Sequence, residues 1–158
     1  MIIAGTGHRP DKLGGYDPEV LKKLVNFADA WVKEHRPDKI ISGMALGWDQ
    51  ALAAAAAKEK IPLIAAIPFE GQDRFWPKAQ RQAYNFYIDL AEKVVIVCEG
   101  GFGRWKFQRR NEWMVDNCDQ VLALWNGSSG GTANCIGYAK RRKKPIINLW
   151  DEYNEKVS

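Results

Sequence analysis

Short apolar runs alternate with longer amphipathic segments along the chain. Most of the short runs are apolar at consecutive positions, which is typical of strands covered on both faces of a parallel sheet. The pattern predicts strands at residues 2–4, 39–42, 63–67, 93–98, 120–125 and 145–149.

The segments between these runs have apolar residues at helical spacing. A helix over residues 18 to about 36 is the clearest case, because Asp17 stands at an N-cap position and Pro18 at the first helical position. Further helices are predicted at residues 50–60, 77–92, 108–117 and 132–142. The alternation predicts one α/β domain over residues 1–158, a three-layer sandwich with a mainly parallel sheet.

Composition adds limits to this picture. The 158 residues are 46% apolar and 11% aromatic, which suits a folded core and not a disordered chain. No apolar run approaches the roughly 18 residues that cross a bilayer, and we expect no signal peptide. Cys98, Cys118 and Cys135 form no CxxC pair, so we expect buried packing roles for the thiols, no metal site and a cytoplasmic location.

The positive charge is local. There are 23 basic and 19 acidic residues, but residues 104–110 (RWKFQRR) and 140–144 (KRRKK) hold nine of the basic ones and no acid. The second stretch ends a predicted helix, where cations stabilise the helix dipole, and this interpretation is favoured over a nucleic-acid patch. The first stretch interleaves basic residues with Trp105, an arrangement that could stack on a base.

Glycine-rich segments follow four of the predicted strands. They are residues 5–10 (GTGHRP), 42–49 (SGMALGWD), 68–72 (PFEGQ) and 126–132 (NGSSGGT). The carboxyl ends of parallel strands meet at one edge of a sheet, where ligands bind. Glycine exposes backbone N–H groups to a phosphate, and a following helix start adds partial positive charge. The alternative for any single segment is a tight turn without a ligand.

Two nucleotide-binding motifs are excluded. Pro10 occupies the place of the last glycine in a G-x-G-x-x-G fingerprint, and residues 127–132 lack the Gly-Lys-Ser/Thr ending of a P-loop. We therefore expect neither the usual dinucleotide cofactor nor ATP hydrolysis of that type, and no resident cofactor.

Candidate ligand contacts come from these segments and from the helix predicted at 108–117. They are Gly5, Thr6, Gly7, His8 and Arg9; Ser42, Gly43, Met44, Gly47 and Asp49; Pro68, Phe69 and Glu70; Arg109, Arg110 and Asn111; and Gly127, Ser128, Ser129, Gly130, Gly131 and Thr132.

Four of these side chains have a candidate role at a ligand, and each also has an alternative, structural interpretation. Arg9 is placed for a bidentate contact to phosphate, or for a surface ion pair. His8 could contact the ligand or act as a general acid, or be hydrogen-bonded to the loop backbone. Asp49 is a helix N-cap or binds a ribose hydroxyl. Glu70 is a candidate carboxylate for ribose or catalysis, or a solvated loop acid.

Residues 109–111 are predicted to open a helix. Arginine at a helix start is unfavourable for the macrodipole, so Arg109 and Arg110 indicate an anion nearby. A salt bridge to Glu112 or Asp116 is the alternative.

With these segments in order, the sequence resembles the SLOG superfamily of Rossmann-like domains, and within it the YpsA-like branch. The matching motifs are GTGHRP (5–10), SGMALGWDQ (42–50), IPFEGQ (ending at Gln72), RNEWMVDNCD (110–119) and WNGSSGGTAN (125–134). The superfamily includes DprA-like single-strand DNA binders, LOG-type phosphoribohydrolases that cleave nucleoside monophosphates, and sensor domains for ADP-ribose-like signals.

The resemblance departs from the LOG-type enzymes at one position. Those enzymes use a PGGxGTxxE loop, whose glycines hold phosphate and whose glutamate helps to cleave the N-glycosidic bond. Here glycine and threonine are kept, but Cys135 stands where the glutamate would be. A thiol cannot replace that carboxylate, which counts against hydrolysis of this type.

Three functions follow as hypotheses. The first is a binding protein that senses, carries or sequesters a phosphate-bearing nucleotide or ADP-ribose derivative. The second is a nucleotide N-glycosidase with Glu70 or Asp49 as the catalytic carboxylate. The third is DprA-like single-strand DNA binding through residues 104–110, with residues 140–144 as a possible second segment. We expect no membrane partner, and a homo-oligomer is left open.

Overall fold

The computed structural model describes residues 1–157, which form six strands and six α-helices in regular alternation. The strands are β1 (Ile2–Gly7), β2 (Lys39–Ser42), β3 (Leu63–Ile67), β4 (Lys93–Ile96), β5 (Gln120–Leu124) and β6 (Ile146–Asn148). The helices are α1 (Pro18–His35), α2 (Trp48–Glu59), α3 (Lys78–Leu90), α4 (Arg104–Asp116), α5 (Gly131–Arg141) and α6 (Trp150–Val157).

The strands form one sheet in the order β4-β3-β2-β1-β5-β6, and every neighbouring pair is parallel. Apolar residues of α1, α2 and α6 pack on one face, where Trp48 is fully buried. Met114 of α4 and Cys135 of α5 pack on the other face. The predicted α/β, Rossmann-like three-layer fold with a parallel sheet is therefore confirmed.

The boundaries of β1 differ from the prediction. The strand continues to Gly7, because Gly5, Thr6 and Gly7 pair with Leu122 to Leu124 of the neighbouring β5. Glycine has a low strand propensity, so the sequence pattern ended the strand at Ala4. The residues expected in a loop are thus the last residues of the central strand.

Two helices also depart from the prediction. Helix α4 begins at Arg104 and not at residue 108, and its N-cap position is Gly103, which offers no capping side chain. Residues 109–111 therefore lie inside the helix, and the expectation that they open it was wrong. Helix α6 was not predicted, and α2 begins at Trp48 with Gly47 at the N-cap position, so Asp49 is not the N-cap.

Three further predictions concern the N-cap of α1, the burial of the cysteines and membrane-spanning helices. Asp17 stands at the N-cap position of α1, as predicted, although its side chain forms no capping hydrogen bond. Cys118 and Cys135 are buried as predicted, whereas Cys98 is only half-buried, so the full burial predicted for it was wrong. Within residues 1–157, no helix is both long enough and apolar enough to cross a membrane.

Candidate functional site

A cavity lies where the strand order changes direction. The chain moves from β1 outward to β4 and then returns to β5 on the other side of β1, so the segments after β1 and β5 diverge and leave a crevice. The cavity there has a volume of about 720 Å³, within the usual range for small-molecule sites. It is lined by Gly5–Arg9, Asp11, Lys12, Ala45, Asp49, Phe102, Arg104, Phe107, Gln108, Arg110, Asn111, Ser128–Thr132 and Asn134.

Two hydrogen bonds join the segments after β1 and β5 beside the cavity. The backbone N–H of Asn126 donates to His8 Nε2 at 3.0 Å, and Lys12 Nζ donates to Ser128 Oγ at 3.0 Å. Burial lowers the pKa of His8, which keeps the ring neutral and Nε2 able to accept this bond. We call these two hydrogen bonds the clasp. In the clasp, His8 holds the loop backbone, as one of the two interpretations of this residue expected.

The start of α5 forms an end of the cavity suited to an anion. Gly130 stands at the N-cap position with φ 139°, and no side chain caps the helix. The first N–H groups of a helix have no intrahelical partner, so those near Gly131 and Thr132 are available to a ligand at this end. A Cβ added at Gly130 or Gly131 would meet no atom within 4 Å.

The charges around the cavity favour an anionic ligand. Four cations line it, Arg9, Lys12, Arg104 and Arg110, against the carboxylates of Asp11 and Asp49. In residues 1–157, neither Arg9 nor Arg104 forms an ion pair with a carboxylate. Two exposed guanidinium groups are therefore free to meet a phosphate.

Asp49 and Arg110 lie together in the floor of the cavity. Arg110 is 5% exposed, and its Nη1 donates to the carbonyl oxygens of Gly43 at 2.6 Å and Ala66 at 3.3 Å. A Cβ at Gly43 would lie 2.7 Å from Arg110 Nη1 and 2.9 Å from Asp49 Oδ2, so glycine is needed there for space. Arg110 thus fastens α4 to the ends of β2 and β3.

The Asp49 carboxylate has little compensation from the protein. It is 8% exposed, and it accepts a hydrogen bond from the N–H of Ala45 at the long distance of 3.4 Å. Burial raises its pKa to about 6, against the opposing attraction of Arg110. A buried, cavity-lining carboxylate with spare acceptor capacity can accept a hydrogen bond from a ligand hydroxyl.

Cys135, which replaces the glutamate of the LOG-type loop, is 2% exposed. Burial raises the pKa of its thiol to about 11, so the group stays protonated at neutral pH. It supplies neither a carboxylate nor a thiolate at the cavity. In residues 1–157, no three His, Cys, Asp or Glu side chains are arranged to hold a metal ion.

The structure brings together thirteen of the predicted ligand contacts along the cavity: Gly5, Thr6, Gly7, His8, Arg9, Asp49, Arg110, Asn111, Ser128, Ser129, Gly130, Gly131 and Thr132. Nine others do not line it: Ser42, Gly43, Met44, Gly47, Pro68, Phe69, Glu70, Arg109 and Gly127.

The residues outside the cavity have structural surroundings of their own. The Ser42 hydroxyl donates to the Asp49 carbonyl at 2.7 Å, and Phe69 is buried against Phe107. Glu70 is exposed beyond β3, and Arg109 pairs with Glu112 on the outer side of α4. Of the two candidate catalytic carboxylates, Asp49 lines the cavity and Glu70 does not.

Several cavity residues were not among the predicted ligand contacts, notably Lys12, Phe102, Arg104 and Phe107, although Arg104 and Phe107 belong to the basic stretch predicted as a DNA-binding candidate. Three of them belong to the beginning of α4 or the loop before it, which the sequence pattern placed outside a helix. The glycines of residues 100–103 (GGFG) were an available signal, because they flank an aromatic residue just after β4. Lys12 lies in a short 3₁₀ helix, Pro10–Lys12, directly after the GTGHRP segment.

The fold and the glycine-lined edge define a SLOG-type Rossmann-like protein, as the sequence resemblance implied. Residues 19–158 match the family described as DNA recombination-mediator protein A, and the chain belongs to this family.

Two proteins of related sequence match most of the chain. The SPbeta prophage-derived protein YoqJ of Bacillus subtilis is 33% identical over 144 residues, which cover 79% of this chain and 84% of YoqJ. A UPF0398 protein of Bacillus cereus is 26% identical over 159 residues, covering 93% of this chain and 86% of that protein.

Solved structures share the fold at low identity. DNA processing protein A from Helicobacter pylori, described with a single-stranded DNA binding mode, has a TM-score of 0.65 at 20% identity, covering 99% of this chain and 72% of that one. The Streptococcus pneumoniae protein has a TM-score of 0.64 at 21% identity over 91% of this chain, which spans only 48% of the pneumococcal chain. The molybdenum cofactor carrier protein of Chlamydomonas reinhardtii has a TM-score of 0.60 at 15% identity. The match covers 98% of this chain and 80% of the carrier protein.

Proposed function

We propose that the protein binds a small phosphate-bearing ligand of the nucleotide or ADP-ribose type in the cavity, and senses, carries or sequesters it. The observation that carries this proposal is that three features line one cavity of about 720 Å³. They are the start of α5, which no side chain caps, the guanidinium group of Arg9, which forms no ion pair in residues 1–157, and the Asp49 carboxylate, which can accept a further hydrogen bond. The N–H groups and arginine suit a phosphate, and the carboxylate suits a sugar hydroxyl.

Binding without turnover is favoured by the state of the acidic groups. Cys135 is a buried, protonated thiol at the position of the LOG-type glutamate, and Glu70 lies outside the cavity. The N-glycosidase alternative therefore depends on Asp49. Its test is chromatography for a free base released from nucleoside monophosphates: release by the wild-type protein that is lost in Asp49→Asn and kept in Glu70→Gln supports the enzyme.

The family and the structural neighbours support a ligand-binding or DNA-binding role in general terms. One neighbour is a molybdenum cofactor carrier protein, and another is described by its binding of single-stranded DNA. A cavity of this size suits a small ligand better than a single strand of DNA.

The decisive experiment compares two glycine-to-alanine variants in α5. Gly131 lines the cavity and has open space at its Cβ, whereas Gly137 lies further along the helix and outside the cavity. Both variants are expected to fold, and alanine at 137 stabilises the helix by about 0.5–1 kcal/mol. Thermal shift and calorimetry with ADP-ribose, NAD, AMP and cyclic AMP then measure binding.

We expect at least one of these compounds to stabilise the wild-type protein, by about 2.7 kcal/mol at a hundred times its Kd. Gly131→Ala should weaken that binding about tenfold or more, because a methyl group then stands between the N–H groups and the phosphate. Gly137→Ala should bind as the wild type does. Failure of all four compounds to stabilise the wild-type protein overturns the proposal.

Single-strand DNA binding is a second candidate because aromatic and basic side chains are exposed at the start of α4. Phe102 and Trp105 are exposed beside Arg104, a combination that suits stacked bases. However, Lys106 and Arg110 of the same basic stretch are buried, which leaves Arg104 and the paired Arg109.

The DNA candidate is tested by fluorescence anisotropy with an oligothymidine over a range of salt concentrations. Binding through phosphate contacts falls steeply with salt. Arg104→Ala should reduce the logarithmic slope by about 0.7, because each arginine that neutralises a phosphate of a single strand adds that amount. Binding that is absent, or that does not change with salt, excludes this function.

A further inference from the structure

Phe102 is unusual among the residues that line the cavity. Its side chain is 71% exposed, although a large apolar ring gains free energy from burial. It lies between Gly101 and Gly103 in the loop that joins β4 to α4. An exposed aromatic ring at the wall of a ligand cavity offers a surface that a planar group can cover.

The loop that carries Phe102 is fixed from behind. Lys106 is buried, and its ammonium group donates to the carbonyl oxygens of Glu99 at 2.6 Å and Gly101 at 2.7 Å. This charged anchor holds the backbone on the N-terminal side of Phe102. The backbone that leads into Phe102 is therefore held in place without a ligand, which lowers the entropic cost of stacking on the ring.

Phe102 contacts the buried ring of Phe69, which in turn contacts Phe107. The Phe102 and Phe69 centroids lie 5.7 Å apart with an interplanar angle of 85°, and Phe69 and Phe107 lie 5.4 Å apart at 81°. Both arrangements are edge-to-face contacts. Phe107 also lines the cavity, so the two rings form an aromatic wall on the side of α4.

This wall stands at a distance from the anion end. Asn111 Nδ2 donates to the Gly131 carbonyl at 3.5 Å, which places the middle of α4 beside the start of α5. The seven steps along the helix from Arg104 to Asn111 span about 10 Å at the helical rise of 1.5 Å per residue. Phe102 precedes Arg104, so a sugar has room between a phosphate at Gly131 and a ring at Phe102.

We propose that Phe102 is the ring-stacking residue of the cavity, so that the ligand class is one carrying a planar base as well as a phosphate. This inference rests on the proposed function, a ligand of the nucleotide or ADP-ribose type, and adds the residue that holds the base of that ligand. It excludes simple sugar phosphates as the preferred ligands. Phe102 then determines specificity for nucleotides, while the start of α5 supplies affinity for any phosphate.

The test pairs two ligands with two variants, measured by calorimetry. The ligands are AMP and ribose 5-phosphate, which differ by the base. The variants are Phe102→Ala and Phe75→Ala; Phe75 is 88% exposed and does not line the cavity. We expect Phe102→Ala to weaken AMP binding about 5- to 150-fold, the range for one stacked base, and to change ribose 5-phosphate binding less than twofold. Phe75→Ala should leave both affinities unchanged, and Phe102→Trp should retain AMP binding.

The outcomes separate this inference from the function it rests on. Equal weakening of both ligands by Phe102→Ala, or unchanged AMP binding, overturns the role of Phe102 while the phosphate site stands. Equal wild-type affinity for AMP and ribose 5-phosphate overturns it as well. Absence of binding by the wild-type protein to either compound, together with no shift from ADP-ribose, NAD or cyclic AMP, overturns the proposed function itself and the inference with it.

Discussion

Two glycine-rich segments meet at the cavity, and their glycines are there for different reasons. At the end of β1, a Cβ on Gly7 would lie 2.5–2.7 Å from three atoms of the Trp48 side chain, and one on Gly5 would collide with Leu52. After β5, a Cβ on Gly127, Gly130 or Gly131 would meet no atom within 4 Å. The first segment needs glycine so that α2 can pack against the sheet, whereas packing does not require glycine at Gly131.

The difference shows that a glycine-rich strand end is ambiguous as a sequence signal. Both segments match the pattern of a phosphate loop, but only the segment after β5 leads into a helix start whose glycine lacks a packing reason. Gly127 and Gly130 have φ values of 93° and 139°, so backbone conformation explains those two. Gly131 is explained by neither cause, which is why it carries the binding test.

The largest expected effect contrasts Gly7→Ala with Gly131→Ala. Trp48 is fully buried, and its indole N–H donates to the Leu122 carbonyl at 3.2 Å, so it cannot move away from a new methyl group. We expect Gly7→Ala to lower the free energy of unfolding by about 3 kcal/mol, at the upper end for overpacking. Gly131→Ala should change it by less than about 0.5 kcal/mol. Urea unfolding of both variants measures this, and equal stabilities contradict the packing explanation.

The segment at the end of β1 lines the same cavity as the buried Asp49 carboxylate. This carboxylate makes the stability of the fold depend on pH. Its pKa is raised from 3.8 to about 6 in the folded protein, so the folded state keeps a proton that the unfolded chain releases. Stability is therefore highest below pH 3.8 for this group and falls as the pH rises to about 6, by about 3 kcal/mol in total.

Unfolding free energies between about pH 4 and 7 should show this slope as the difference between the wild-type protein and Asp49→Asn. The difference is the proper measure, because other carboxylates and His8 add slopes of their own. The absolute stability of the variant also reflects the loss of a charge beside Arg110 and is not the readout. A difference that does not vary with pH contradicts the raised pKa.

The smallest expected effect concerns the clasp that joins the two segments. Burial lowers the pKa of His8 from 6.5, so the folded protein binds a proton at this ring more weakly than the unfolded chain does. The contribution of His8 to stability is present above pH 6.5 and is lost as the pH falls toward the lowered folded pKa, opposite in sign to that of Asp49. Protonation also removes the acceptor for the Asn126 N–H.

His8→Gln, which cannot titrate, should flatten this part of the stability curve between about pH 5 and 7. Imidazole nitrogen shifts in NMR spectra at neutral pH report the tautomer directly, with Nε2 as the unprotonated nitrogen. A protonated Nε2 under those conditions contradicts the hydrogen bond that forms the clasp.

The sequence predicted the parallel sheet and the edge that carries the cavity, because consecutive apolar residues and the glycines after them are local signals. It did not predict the start of α4, since residues 104–107 combine charged and aromatic side chains behind a glycine that gives no capping hydrogen bond. It missed α6, whose eight residues are mostly polar. Phe102 and Lys12 reach the cavity through these missed or short elements, so their roles depend on tertiary contacts that spacing does not encode.

The arginine at 110 has a consequence for how far relatives can diverge. It fastens α4 through the main-chain carbonyl oxygens of residues 43 and 66, which every amino acid possesses. Apart from the space that glycine leaves at 43, these two hydrogen bonds make no demand on the side chains at 43 and 66. Apolar substitutions at 66 that keep its packing against α4 can therefore accumulate among related sequences without loss of this attachment, provided that the arginine is retained.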